Sequence, residues 1–167
     1  MPFRRPGKRP GCDLGRHVVA PVRVSARTDL PVTAEEAWRR VLAWEDQIAW
    51  IEDAVSVRVL TSHRGGVGVI VAVRTRVLGV PLITDRLEVT VWDPPRRLVM
   101  AHRGLVRGVG EWLLHPVGGG TRFTWTEDLA LPVPILGELL LLMYRPFMHR
   151  LMRSSLSNLN RMVHQQA

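Results

Sequence analysis

The chain has 167 residues, enough for one domain with a sizeable core, and its 46% apolar content excludes wholesale disorder. The formal charge is +8, yet Lys8 is the sole lysine, so the excess is arginine. A basic soluble protein is the leading reading, and a nucleic-acid or anionic-membrane contact through the N-terminal arm is the secondary one.

In chain order, residues 1–16 form a Pro-, Gly- and Arg-rich basic arm (Arg4, Arg5, Lys8, Arg9, Arg16), expected to be disordered, and 17–167 form a single domain. Arg4-Arg5 is followed by no apolar stretch of the kind an export signal carries, and no apolar run is long enough to span a bilayer, so a cytoplasmic protein is expected. Cys12, the sole cysteine, excludes an intramolecular disulfide and a cysteine-built metal site. His17 to Ala26 reads as a strand that Leu30-Pro31-Val32 ends. Thr33 followed by Glu36 is a capping box, so a helix starts near Ala34. Ala37, Val41, Trp44 and Ile48 share its apolar face. A break falls around Glu45 to Gln47, with a short second piece to Ile51.

Only strand signals follow as far as Leu131. They are Val55 to Val59, Val67 to Leu78, Leu82 to Trp92, Leu98 to Arg103, Val109 to His115 and Thr121 to Leu131. Turns fall at Gly65-Gly66, Gly79 with Pro81, Asp93-Pro94-Pro95-Arg96 and Gly118-Gly119-Gly120. Gly104, Gly108 and Gly110 mark bends or bulges in curved strands. Ile135 to Val163 is a long amphipathic helix, kinked at Pro146. Tyr144, Met148, Leu151, Ser155, Leu159 and Met162 line its inner face; Arg145, His149, Arg153, Asn160 and His164 line the other. The order is strand, helices, a meander of strands and a long helix, which is an α+β architecture.

Tight turns set register, and register sets which side chains share a face. Centring the last hairpin on Gly118-Gly119 puts Trp112 opposite Trp125 and Leu114 opposite Phe123, with Glu127 on the same face. Centring the Pro94-Pro95 turn puts Val91 opposite Leu98, Val89 opposite Met100 and Leu87 opposite His102. Centring the Gly79-Val80 turn puts Arg74 opposite Asp85. The resulting face carries Val89, Met100, Trp112, Phe123 and Trp125, with Arg74, Asp85, His102 and Glu127 as its polar members. Together with Tyr144, Met148 and Leu151 of the helix, these are the candidate ligand-binding residues. An apolar lining with a few polar groups suits a hydrophobic small molecule, and Met and aromatic side chains adapt to irregular guests.

His102 and Glu127 are the candidate catalytic residues. A histidine in a partly dry pocket can accept or donate a proton near neutral pH, and burial raises a carboxyl pKa. The other histidines, at 17, 63, 115, 149 and 164, form no metal-ligand spacing, so no metal and no cofactor is expected. No Gly-x-Ser-x-Gly elbow is present, and Gly65-Gly66-Val67-Gly68 lacks the Lys-Ser/Thr of a phosphate loop.

Pro31 to Glu45 with Trp38, Val41, Leu42 and Trp44, then Trp50 and Val55 to Val59, resembles the opening of the polyketide cyclase/dehydrase and lipid transport family, of the START/Bet v 1-like, or helix-grip, superfamily. The Asp93 to Leu98 turn, the Gly119 to Trp125 segment and the terminal helix resemble it too, so the likeness spans roughly 17 to 164. It implies a curved antiparallel sheet of about seven strands around a long C-terminal helix, with a cavity between them. It transfers no catalytic set, because members include cyclases, aromatases and lipid carriers. The leading expectation is a carrier or binder of a lipid, isoprenoid or polyketide-like molecule. The alternatives are a cyclase, aromatase or dehydratase using His102 and Glu127, and a protein-interaction module whose groove takes a partner's apolar segment.

Overall fold

The computed structural model describes residues 21–77, 80–133 and 136–165; the basic arm and the first part of the expected His17 strand lie outside them. Seven strands form one antiparallel sheet: β1 (Val22–Leu30), β2 (Ala54–Val59), β3 (Ile70–Val77), β4 (Val80–Asp93), β5 (Arg97–Arg103), β6 (Arg107–Val117) and β7 (Gly120–Ala130). Their spatial order is β1-β7-β6-β5-β4-β3-β2, a meander whose first strand folds back beside the last. The helices are α1 (Ala34–Val41), a 3₁₀ helix (Trp44–Ala49) and the long α2 (Leu136–Gln165).

The start of α1 is where the cap signal puts it: the Glu36 N–H donates to Thr33 Oγ1 at 3.3 Å. The Glu36 carboxylate turns instead to Arg40, at 2.5 Å, and to Arg39, so only half of the capping box is made. Beyond Leu42 the chain tightens into the 3₁₀ helix, whose three-residue repeat carries Ile48 out to solvent. Gln47 goes in, and its Nε2 donates to the Val41 carbonyl at 2.7 Å.

The concave face of the sheet and α2 enclose one main core, which holds Trp38, Trp44, Trp50, Val71, Val89, Leu98, Met100, Trp112, Phe123, Met152, Leu156 and Leu159 among others. The C-terminal half of α2 is also hooked by polar groups. Ser155 Oγ accepts from the Glu52 N–H at 3.0 Å, and Asn160 Nδ2 donates to the Asp29 carbonyl at 2.6 Å. Asn160 therefore ties the helix to β1, where the helical spacing assigns it to a solvated face. The helix runs through Pro146 without a change of type.

Two bulges change faces. Asp93 pairs with Arg97, which puts Trp92 opposite Leu98 and Val91 opposite Val99, and the shift between Val89 and Val91 then puts Val89 opposite Met100. In β3–β4, Val77 pairs with Val80, two residues from the expected register, and the shift between Thr75 and Arg76, beside Pro81, takes back one of them: Arg74 pairs with Thr84 and Asp85 with Val73. The expected Arg74–Asp85 pair is thus corrected. A slip of one residue sends a side chain to the other face, and Arg74 stands exposed while Asp85 is buried. Proline supplies no ladder donor, which is why an irregularity sits there.

Candidate functional site

The polar members of the concave face meet across three strands. His102 on β5 sits opposite Leu87 of β4 and opposite Gly108 of β6; Glu127 on β7 sits opposite Gly110 of β6. Strand β6 thus separates His102 from Glu127, and its two inward positions there carry no side chain. The imidazole and the carboxylate meet over bare backbone. Space for a methyl group is missing: a Cβ on Gly110 would lie 2.9 Å from Glu127 Oε1, and one on Gly104 would lie 2.2 Å from Asp85 Oδ1. Gly108 has φ 145°, and a Cβ there would lie 2.0 Å from the Asp128 carbonyl oxygen, so glycine is required.

His102 Nδ1–H donates to Asp85 Oδ2 at 2.5 Å, and Nε2–H donates to Glu127 Oε2 at 3.0 Å. The outer oxygens are held too. Asp85 Oδ1 accepts from the Arg86 N–H at 2.8 Å, and Glu127 Oε1 accepts from Trp125 Nε1–H at 2.7 Å. The side chains of Asp85, His102 and Glu127 are only 13%, 13% and 10% exposed. Burial acts most strongly on the His102 pKa and lowers it. The hydrogen bonds to Asp85 and Glu127 and the two carboxylate charges together outweigh burial and push it up to about 9. At neutral pH His102 is an imidazolium held between the Asp85 and Glu127 side chains.

Two further groups border this chain. Burial raises the Asp53 pKa, helped by the charges of Glu52 and Glu127. Burial likewise raises that of Tyr144, with a contribution from Asp53. Asp53 follows the 3₁₀ helix in a turn where no motif marks it, so sequence reasoning passed over it.

Trp50 covers the aromatic part of the sheet face that was expected to line a cavity. Trp50 packs against Trp112, Phe123 and Trp125 with ring centroids 5.8, 6.4 and 6.0 Å apart. The indole N–H groups of Trp50 and Trp112 have no hydrogen-bond partner among the described residues, so ring packing alone seats them. Val89, Met100, Trp112 and Phe123 are buried in this core. By contrast Val73, Leu87, Trp125, Tyr144, Met148 and Leu151 are only partly buried. Val73, Leu87, Trp125 and Met148 pack against this same core, and Trp125, which donates to Glu127, joins the aromatic cluster to the polar chain. Two surface grooves, of about 240 and 480 Å³, lie elsewhere, between β1 and α2, and are lined by Arg27 and Arg153.

Residues 21–163 match the family model described as polyketide cyclase/dehydrase and lipid transport. The chain belongs to this family. Its sheet and long C-terminal helix are the START-like, or helix-grip, fold. A Thermus thermophilus protein is 24% identical over 87% of this chain and 99% of its own, with a TM-score of 0.71. A START superfamily protein from Mycobacterium smegmatis is 15% identical over 87% and 99%, with a TM-score of 0.65. A Rhodobacter sphaeroides protein is 21% identical over 90% and 97%, with a TM-score of 0.63. These likenesses show the fold alone. No curated protein matches the chain. No group of His, Cys, Asp or Glu among the described residues is arranged to hold a metal ion.

Proposed function

We propose that this family member binds and carries a hydrophobic small molecule, of lipid, isoprenoid or polyketide type, between sheet and helix beside the Asp85–His102–Glu127 chain. The observation that supports this is the Asp85–His102–Glu127 chain on an otherwise apolar face, beside side chains that stay partly exposed. Leu87, Trp125, Tyr144, Met148 and Leu151 offer apolar walls, and the chain offers a fixed charge pattern that orients a polar end of the guest. Both imidazole N–H groups are engaged by carboxylates. That favours holding and orienting over proton abstraction, because a base needs a free lone pair. The test is native mass spectrometry of the purified protein, followed by titration with apolar compounds while tryptophan fluorescence is read. A retained small molecule, or saturable quenching weakened in Trp125→Ala, is expected. Neither retention nor saturable quenching with any compound would remove the carrier reading.

A specific observation also favours a second reading, a cyclase or dehydratase. Asp85 orients the imidazole through Nδ1, as a general acid requires, and Nε2–H points along a line shared with a second carboxyl group. A substrate oxygen that displaced the Glu127 oxygen would receive this proton as its C–O bond breaks, and Glu127 would take the proton of the adjacent acidic carbon. Turnover of a polyketide-like substrate that survives in folded His102→Gln and Glu127→Gln variants would exclude it.

A further inference from the structure

We propose that the first half of α2 is a docking surface for an anionic lipid bilayer. Leu136, Leu139, Leu140, Leu142 and Met143 expose 47–73% of their surface. Leu136, Leu139, Leu140 and Met143 follow one another at i, i+3, i+4 and i+7, so they form one stripe. The opposite side of the same turns is already used: Gly137 is buried, and Leu141 packs with Val22 and Leu129. The stripe therefore faces away from the protein. A helix that is apolar on both sides has a second apolar medium to meet.

The basic residues continue the same outer side. Arg150 stands seven residues after Met143, on the same line, and Arg153 stands one turn further on; both are exposed. Arg27 of β1 and Arg153 line both grooves beside the helix, His149 joins them in one and Arg161 in the other. Over its whole length α2 carries four arginines against Glu138 alone. An apolar stripe with cations beside it matches the acyl boundary and phosphate layer of an anionic bilayer, the pattern of interfacial helices. No helix among the described residues is long and apolar enough to cross a membrane, so the contact is peripheral.

A second copy of the chain fits less well. Five side chains exposed by 47–73% offer on the order of 550 Å² of apolar surface, about two thirds of the ~800 Å² per partner that a standard interface buries. A twofold pair on this short stripe would also bring two arginine-rich helices together. Lipid phosphates answer both features.

The experiment is co-sedimentation of the full-length protein with vesicles of phosphatidylcholine alone or with added phosphatidylglycerol, at low and high salt. It needs no guest molecule, so its result is independent of the carrier reading. Binding to the phosphatidylglycerol vesicles, weakened by salt, is expected. Arg150→Gln with Arg153→Gln lowers the partition coefficient about 30-fold, from about 1 kcal/mol per arginine near an anionic surface. Leu139→Asp with Met143→Asp lowers it at least about tenfold. All four positions are exposed, so circular dichroism melts of the variants stay close to that of the parent. Absence of binding to anionic vesicles overturns the proposal. So does equal binding by both variants, which would assign the attraction to the basic N-terminal arm. Self-association that Leu139→Asp abolishes, without vesicle binding, overturns it in favour of a second copy.

Discussion

Raising the pH through the titration of His102 should cost this fold a defined share of its stability. The group is an ordinary imidazole in the unfolded chain, with a pKa near 6.5, and is pushed up to about 9 in the folded protein. A raised folded pKa means that the folded state holds the proton more tightly. Its contribution is therefore fully present below about pH 6.5 and is lost as pH rises through about 9. The interval of about two and a half units, at 1.36 kcal/mol per unit, corresponds to about 3 kcal/mol. Urea unfolding at half-unit steps from about pH 6 to about pH 10 reads this directly. Groups throughout the chain contribute to the pH dependence, so the quantity compared is the parent curve minus that of His102→Gln. A difference that shrinks by about 3 kcal/mol across the window is expected. In nuclear magnetic resonance spectra, the His102 ring signal should titrate near pH 9. Parallel parent and variant curves, or a His102 signal that titrates near 6.5, would refute the imidazolium between two carboxylates.

Three further outcomes follow from the packing. Gly108→Ala should cost at least about 3 kcal/mol in chemical denaturation, because its Cβ would meet a backbone carbonyl at a positive φ. Trp50→Ala should cost about 3–5 kcal/mol and open a hollow against Trp112 and Phe123. An apolar fluorescent probe should then bind the variant more tightly than the parent; equal binding would mean that the core collapses onto the gap. Arg74→Ala should change stability by less than about 0.5 kcal/mol, whereas Asp85→Ala leaves a buried imidazolium short of a partner and costs about 3 kcal/mol or more. Thermal melts of the pair separate the observed register from the expected one, in which both losses would be large.

The candidate site was legible up to the point where geometry stops being local. Trp112 opposite Trp125 follows from its turn position; Leu87 opposite His102 and Val89 opposite Met100 were expected too, and the structure has them because a bulge offsets a turn one residue longer than expected. Arg74 with Asp85 failed because Val77 pairs with Val80, two residues from the expected register, and the bulge beside Pro81 takes back only one; Val91 with Leu98 failed because Asp93 pairs with Arg97. A bulge adds a residue on one strand only, and alternation cannot announce it. The three glycines of β6 and its approach were visible as bends. That they vacate the space in which two carboxylates flank one imidazole was not, since His102 and Glu127 are 25 residues apart with a strand between them.

What the amino-acid sequence determines by itself is everything set by near neighbours. This covers the Thr33 cap, the alternation of the strands, the turns that connect them, the long terminal helix and, with these, family membership. The tertiary structure decides what lies between the layers. Trp50 fills the aromatic core, the Asp85–His102–Glu127 chain assembles beside it, and the leucine stripe of α2 faces outward. The reason is physical. Periodicity states that a side chain is apolar and on which side of its own element it stands. Only the curvature of the sheet and the seating of the helix settle whether that side meets protein, a guest or the surroundings.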